Sequence, residues 1–306
     1  MNTMRKVIFD TDIGSNVDDA LALALALKSS EIELEGVSVV HGDLDVRARI
    51  ALKMLKLAGV EGVPVAKGIS KPLLMERPIF WTGHEGEGIL NREDEFLVSS
   101  NIHAVDLLTS KINSMKGEIT VIAVGPLTNL AVAIIKSPSI VRNVKEVFLM
   151  CGVVRLFNGL DLPHREHNIY CDPEAARVVF NSGIPITMVP LDVTLKVALT
   201  RKDLERISSM KTPFTDVLVS MTEHYMRFRR RNYTWLHDPL AVAVSIDESL
   251  VKTKEMRIVV ETKGEATTGQ TLALPPDPKQ PKVKVCVDVD VGRFKEFFME
   301  RICSRA

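Results

Sequence analysis

Short runs of β-branched residues alternate along this chain with longer Ala- and Leu-rich segments, and few architectures accept that alternation. Parallel neighbours need a crossover of a dozen or more residues, usually a helix, so the pattern predicts βαβ units around a mainly parallel sheet. Strands are expected over residues 6–9, 34–40, 63–66, 118–123, 147–150, 184–190 and 256–260. Helices are expected over 18–28, 46–57, 102–112, 127–136, 173–181 and 215–230, with one starting near Pro239 and another closing the chain over 291–301. Ala and Leu alternate with period two from Ala20 to Leu27, but both are strong helix formers, so a buried helix is predicted there. Residues 76–101 and 152–167 read as large loops, and 264–281, which holds most of the late prolines, as a surface excursion. Long loops beyond the carboxyl ends of strands build the ligand site of open α/β sheets. No repeat or low-complexity linker interrupts the 306 residues, which read as one α/β domain over 1–306.

Composition excludes several functions. Lys+Arg and Asp+Glu each total 39, giving a formal net charge of zero and no bulk electrostatic reason to bind nucleic acid or an anionic membrane. The one basic run, Arg227 with Arg229, Arg230 and Arg231, reads as a solvated helix face. Cys151, Cys171, Cys286 and Cys303 are far apart, without the spacing of a zinc site or a disulfide framework. The first nine residues lack the apolar stretch of a signal peptide, and no run approaches membrane-spanning length, so a reduced, cytoplasmic location is expected.

The segment richest in chemistry is Phe9-Asp10-Thr11-Asp12-Ile13-Gly14-Ser15-Asn16-Val17-Asp18-Asp19-Ala20. An apolar strand runs into four aspartates and then into a buried-looking helix, which converges the carboxylates at the sheet's C-terminal edge. Ionised carboxylates sharing a pocket repel one another, so their pKa values must rise or their charge must be neutralised. No Lys or Arg lies between Lys6 and Lys28 to do so locally. A hard divalent cation with oxygen ligands would, and Ca²⁺ tolerates the mixed Asp and carbonyl set on offer. Capping of the helix N-terminus explains Asp18 and Asp19 without a metal, but leaves Asp10 and Asp12 unaccounted for.

Leu236-His237-Asp238-Pro239 repeats the design, with a polar pair at a helix start and Pro in the first turn. Asp238 would add a ligand, and His237 a proton donor titrating near working pH. Glu166-His167-Asn168, at the end of the 152–167 loop, supplies acceptors and donors suited to sugar hydroxyls. Gly125-Pro126 turns the strand ending at Ala123 into a helix, leaving the Val124 carbonyl free at the sheet edge.

In order, these pieces resemble the inosine–uridine-preferring nucleoside hydrolases, together with Val40-His41-Gly42, Gly83-His84-Glu85-Gly86, Asp172–Ala176, Leu191-Asp192-Val193-Thr194 and Thr268-Gly269-Gln270-Thr271. The resemblance spans essentially the whole chain. It implies an open, mainly parallel sheet with flanking helices, Rossmann-like, and a Ca²⁺ ion held by Asp10, Asp12, Asp19, Asp238 and the Val124 carbonyl. It implies hydrolysis of the N-glycosidic bond of a ribonucleoside, with Asp12 as general base for the water that the cation activates and an oxocarbenium-like transition state. Asp18, Glu166 and Asn168 would hold ribose hydroxyls, Met150 would line the pocket, and Asn158 would fill the place of a further sugar-binding Asn. His237 would assist the departing base. Tyr225, on the helix before it, is placed to face the base; Trp81 reads either as stacking on a purine or as a flap residue packed on the protein surface, and His84 either as a base contact or as a loop-stabilising hydrogen bond. A homo-oligomer, dimer or tetramer, is implied as well.

Four departures mark this chain. Ser15-Asn16 extends the first motif by two residues, Asp43 stands where Asn is usual, His167 replaces an aromatic residue, and the earlier sugar-binding Asn has no match in register, so that Asn158 takes its place only if the loop runs longer. Two rival readings remain. One is a phosphohydrolase using Asp10 and Asp12, with Arg165 as the nearest phosphate contact. The other is a non-catalytic nucleoside- or pentose-binding relative.

Overall fold

The computed structural model describes residues 4–156 and 159–304. Val7, Ile8 and Phe9 have no exposed surface and form the middle of β1 (Arg5–Thr11), a strand buried on both faces as the strands of a helix-covered parallel sheet must be. The chain continues through α1 (Asp18–Leu27), β2 (Ile32–Val39), α2 (Leu44–Leu57) and β3 (Val65–Lys67). It then crosses by α3 (Ala104–Ser114) to the other side of β1, adding β4 (Ile119–Ala123), α4 (Thr128–Lys136), α5 (Ile140–Asn143), β5 (Glu146–Met150), α6 (His167–Cys171), α7 (Pro173–Asn181) and β6 (Ile186–Val189). After α8 (Leu191–Thr194), β7 (Ala198–Thr200), α9 (Arg201–Ser208), α10 (Pro213–Phe228), β8 (Tyr233–Trp235) and α11 (His237–Ile246) come β9 (Val251–Val260), β10 (Thr271–Leu274), β11 (Val283–Val289) and α12 (Val291–Ile302).

Among the described residues, nine strands form one sheet in the order β10-β9-β11-β6-β5-β4-β1-β2-β3, and β7 pairs with β8 in a separate ribbon. Strands β1 to β6 and β11 pair in parallel, whereas β9 runs antiparallel to both β10 and β11. The strand order reverses at β1 and β4, the switch point where an open α/β sheet leaves a crevice beyond its strand ends. The parallel register sets Asp10 beside Ser38 on one side and Ala123 on the other, so the last residues of β1 face that crevice.

The alternating Ala/Leu segment is the helix α1, as expected: Ala20 through Ala26 are all buried, and the helix lies against α11, whose Leu240 to Val244 are equally buried. Both carry their charged residues only at their starts, so both deliver aspartates to the crevice while the rest stays in the core.

Three expectations are corrected. Of the basic run only Arg227 is helical, because α10 ends at Phe228 and not at Arg230. The 264–281 stretch is not wholly a surface excursion: Thr271 begins β10, is buried, and exchanges hydrogen bonds with the backbone of Val153 (2.9 and 2.6 Å). The prolines that suggest a loop lie after this short strand, at the outermost edge of the sheet, where a missing N–H is tolerated. Strand β11 and helix α9, not expected from the sequence pattern, complete the far side of the sheet and the layer packed around α10.

Candidate active site

Asp10 is fully buried at the end of β1, Asp12 follows in the turn, and Asp18, Asp19 and Asp238 open α1 and α11; none of the five is more than 4% exposed. Oxygens of Asp18, Asp19 and Asp238 lie within 4.8 Å of one another. The resemblance assigns Asp18 to ribose hydroxyls alone, whereas the structure places it inside the carboxylate cluster. Burial, reinforced by charge from neighbouring aspartates, pushes Asp10 and Asp18 up to about 7 and holds Asp19 and Asp238 well above the carboxylate range.

Hydrogen bonds fix most of the cluster. Ser38 Oγ and Asn129 Nδ2 (2.8 Å) both donate to Asp10 Oδ1, while Asp10 Oδ2 is buried with no partner. Thr11 Oγ1 donates to Asp19 Oδ1 and accepts from the Ile13 amide at 3.0 Å. Gly125 lets the β4 turn lie against Asp12, since a Cβ there would stand 2.8 Å from the Asp12 nitrogen and 3.0 Å from its Oδ1.

The countercharge comes from outside the motif. Arg47 of α2 is completely buried, with Nη2 3.8 Å from Asp12 Oδ2. Its other hydrogens go to the carbonyls of Asp12, Ile13 (3.0 Å) and His41 (2.5 Å) and to Ser15 Oγ (2.9 Å). The sequence carries a signal for it: Arg47 shares the helical spacing of Ile50, Ala51 and Met54, the buried stripe of α2. One guanidinium against five carboxyls leaves most of the negative charge uncompensated.

Glu166 caps α6, taking hydrogen bonds from the amides of Asn168 (2.7 Å), Gly152 (3.0 Å) and Ile169 (3.1 Å). Asn168 Nδ2 donates to the Val124 and Met150 carbonyls (2.7 and 3.0 Å), locking the ends of β4 and β5 together. Its Oδ1 has no partner among the described residues. Asp192 accepts from Val154 and Leu156 (2.8 Å each), and Asp172 from Leu73 (2.9 Å) and Thr128 (2.7 Å), so both anchor the loops around the site.

Above this floor opens a cleft of about 600 Å³, bordered by Asp12, Asp18, Asp19, Val124, Met150, Glu166, Asn168, His84, Tyr225, His237 and Asp238. That volume falls in the usual range for small-molecule sites. Of the expected site residues, Asp10 lies beneath the floor, Asn158 lies outside the described residues, and Trp81 does not border the cleft. The Arg47 guanidinium sits 5.1 Å from the Trp81 ring centroid, and its neighbour Phe80 faces the cleft instead, 5.4 Å from the rings of His167 and Tyr170. Asp43 is exposed, capping α2 through the amides of Asp45 and Val46 (2.9 and 3.1 Å), and adds no charge to the cleft.

His237 Nδ1 lies 2.7 Å from Thr194 Oγ1, and burial pushes the ring down to about 3, so it is neutral at working pH rather than a titrating proton donor. His84 Nε2 donates to the Ser15 carbonyl at 3.1 Å, and the ring stacks 4.2 Å from Phe228. Tyr225 donates to Asn16 Oδ1 at 2.7 Å. Asn16, Phe80, Arg229, Arg231 and Trp235 also border the cleft; the sequence marks Asn16 only as part of the extension and the arginines only as a basic run, and gives no signal for Phe80 or Trp235. Arg229 and Arg231 are exposed, in keeping with a solvated run, and also reach the rim of the cleft.

A buried, all-oxygen carboxylate floor at the switch point of a parallel sheet, roofed by a cleft with histidine and aromatic walls, defines an α/β enzyme acting on a small polar substrate. The sequence pattern of the inosine-uridine preferring nucleoside hydrolases matches residues 7–296. The chain is 32% identical to the pyrimidine-specific ribonucleoside hydrolase RihA of Citrobacter koseri, over 98% of each chain. It is 35% identical to the inosine-uridine preferring nucleoside hydrolase of Leishmania major, over 95% of each. Among solved structures, the purine-preferring ribonucleoside hydrolase from Gardnerella vaginalis superposes with a TM-score of 0.87, at 33% identity and 98% coverage of both chains. The chain belongs to the inosine-uridine preferring nucleoside hydrolase family and is an N-glycosyl hydrolase of ribonucleosides. No helix among the described residues is long and apolar enough to cross a membrane.

Proposed function

We propose that this protein, acting as one domain over 1–306, cleaves ribonucleosides to free base and ribose with a divalent cation, Ca²⁺, on the carboxylate floor. The observation that carries this reading is Asp10 Oδ2, a fully buried carboxylate oxygen without a hydrogen-bond partner inside a set of oxygen donors that one guanidinium cannot neutralise. Asp10, Asp12, Asp19, Asp238 and the Val124 carbonyl would hold the cation, with Asp18 beside them. When bound, it supplies charge neutralisation and Lewis-acid activation of water.

The chain's own residues do the rest. Asp12 takes a proton from the attacking water through its carboxylate. Arg47, bonded to the Asp12 carbonyl and facing its Oδ2, fixes the orientation of that base. Asp18 and Asn168 Oδ1 receive ribose hydroxyls, and Met150 packs against the sugar. The Glu166 carboxylate, already taken up by three amides, holds the sugar-facing backbone in place. His237, neutral and oriented by Thr194, hydrogen-bonds to the departing base. Of the expected base contacts, Tyr225 and His84 border the cleft and Trp81 contacts Arg47. Assembly as a dimer or tetramer is what the resemblance implies, and a reduced, cytoplasmic location is the reading that the four dispersed cysteines favour.

The phosphohydrolase rival needs a cation aimed at a phosphate over Asp10 or Asp12. Arg47 is turned to backbone carbonyls instead, and Arg165 stacks 3.6 Å over Tyr170 and donates to the Thr268 carbonyl. The test is incubation with uridine, cytidine, inosine and adenosine in the absence of phosphate, following release of base and ribose. Turnover establishes the reading and ranks the bases. Binding without release would favour the non-catalytic relative, and turnover of phosphorylated substrates alone would overturn it.

A further inference from the structure

The two-residue extension Ser15-Asn16 joins three parts of the cleft that otherwise come from separate elements. Ser15 Oγ accepts from Arg47 at 2.9 Å, tying it to the carboxylate floor. The Ser15 carbonyl accepts from His84 Nε2 at 3.1 Å, tying it to the 76–101 loop. Asn16 Oδ1 accepts from Tyr225 Oη at 2.7 Å, tying it to α10. With Oδ1 taken by a hydroxyl, the orientation of the Asn16 amide is fixed, and its Nδ2 is a donor with no partner among the described residues. The residue is half-buried and borders the cleft with Tyr225, Trp235 and His237. An amide donor fixed at the edge of the cleft and unpaired within the protein is placed to meet an acceptor on a ligand bound there.

We propose, building on the nucleoside hydrolase reading, that Asn16 is a substrate-binding residue whose Nδ2 donates to an acceptor on the leaving base, and that Tyr225 is the positioning residue that sets the amide. In the reaction, a water oxygen bonds to C1′ and one of its protons passes to Asp12. The C1′–N bond breaks and its electron pair goes to the base. The negative charge spreads onto ring acceptors, the 2-oxo oxygen of a pyrimidine or a ring nitrogen of a purine, and the base then takes up a proton equal to the one released. A fixed donor facing such an acceptor is stronger in the transition state than in the ground state, which is what raises kcat. Both base classes carry the acceptor, so Asn16 favours departure of either class.

The comparison substrate is p-nitrophenyl riboside, whose leaving group needs no hydrogen bond to a ring acceptor. Asn16→Asp keeps an acceptor for Tyr225 but replaces the donor, and it should lower the ratio of kcat/KM on uridine and inosine to that on p-nitrophenyl riboside by at least about tenfold, below the 10²–10³ seen for a lost oxyanion donor because the charge here is spread over a ring. Tyr225→Phe should lower the same ratio by roughly threefold, a partial loss of one neutral hydrogen bond. Combined with Asn16→Asp, it should lower the ratio no further. An unchanged ratio in Asn16→Asp, or an equal loss on both substrates, overturns the proposal in favour of a structural loop. A fall in Tyr225→Phe alone overturns it in favour of direct reading by tyrosine. If the wild-type protein cleaves neither substrate, the hydrolase reading itself has failed, and this inference falls with it.

Discussion

The floor and the walls of the cleft are built in opposite ways. On the floor, every carboxylate sits at the end of β1 or the start of α1 or α11 and is nearly free of solvent, and backbone register fixes the positions. On the walls, Tyr225, His84 and Asn16 are partly exposed and are held by a few side-chain hydrogen bonds and ring contacts between loops and the end of α10. On the proposed function, a floor fixed by the sheet would serve the part of the substrate common to all ribonucleosides. Walls fixed by a few exchangeable side chains suit the part that varies, and relatives of similar identity carry names as different as pyrimidine-specific and purine-preferring.

The sharpest way to break this comparison is to strip divalent cations with a chelator. Turnover on all nucleosides should vanish and return with Ca²⁺. The stripped fold should also acquire a pH dependence. Asp10 and Asp18 rise to about 7 and Asp19 and Asp238 are raised as well, so the folded chain holds protons that the unfolded chain releases near 4. That contribution to stability is complete below about 4 and is lost as pH rises through the folded values near 7. Melting temperature measured from pH 5.5 to 8.5 should therefore fall in the stripped protein and stay flat with Ca²⁺ present. A flat profile in both would mean the floor is not an ion site.

Next in size, Asp12→Ala should lower kcat by about 10³ on purine and pyrimidine nucleosides alike, within the range of a lost general base. A loss that depends on the base would move Asp12 from floor to wall. His237→Ala should cost about 10² in kcat, and more on poor leaving groups, as expected for a group acting on the departing base. Because burial takes His237 down to about 3, the wild-type kcat profile should show no acid limb near 6.5 that disappears in this variant. Finding such a limb would restore His237 as a titrating acid. The smallest effect belongs to Trp81. It contacts Arg47 rather than the cleft, so Trp81→Ala should change kcat/KM by less than about threefold on any base, with a stability loss of about 0.5–1 kcal/mol from the lost cation–π contact. A selective loss on purines would return Trp81 to the base site.

Much of the floor is legible in the amino-acid sequence. Asp10, Asp12, Asp18 and Asp19 lie within ten residues and Asp238 repeats the pattern, because a strand end followed by a helix start is local in sequence and imposes its own periodicity. The walls are legible only in part. Tyr225 and His84 border the cleft as expected, but Phe80 rather than Trp81 faces it, and the exposed Arg229 and Arg231 reach its rim. Loop residues carry no period that says which neighbour turns inward.

Short-range pattern is enough to specify the parallel α/β layering, the buried Ala/Leu helix and the crowding of carboxylates at one sheet edge, since each follows from local periodicity and from the cost of burying like charges. What offsets that charge and what faces the substrate come only from the packing of distant segments. Arg47 reaches Asp12 across 35 residues, and Tyr225 reaches Asn16 across 209. Those contacts depend on how the sheet turns α2 and α10 toward β1, a long-range geometry that no local spacing encodes.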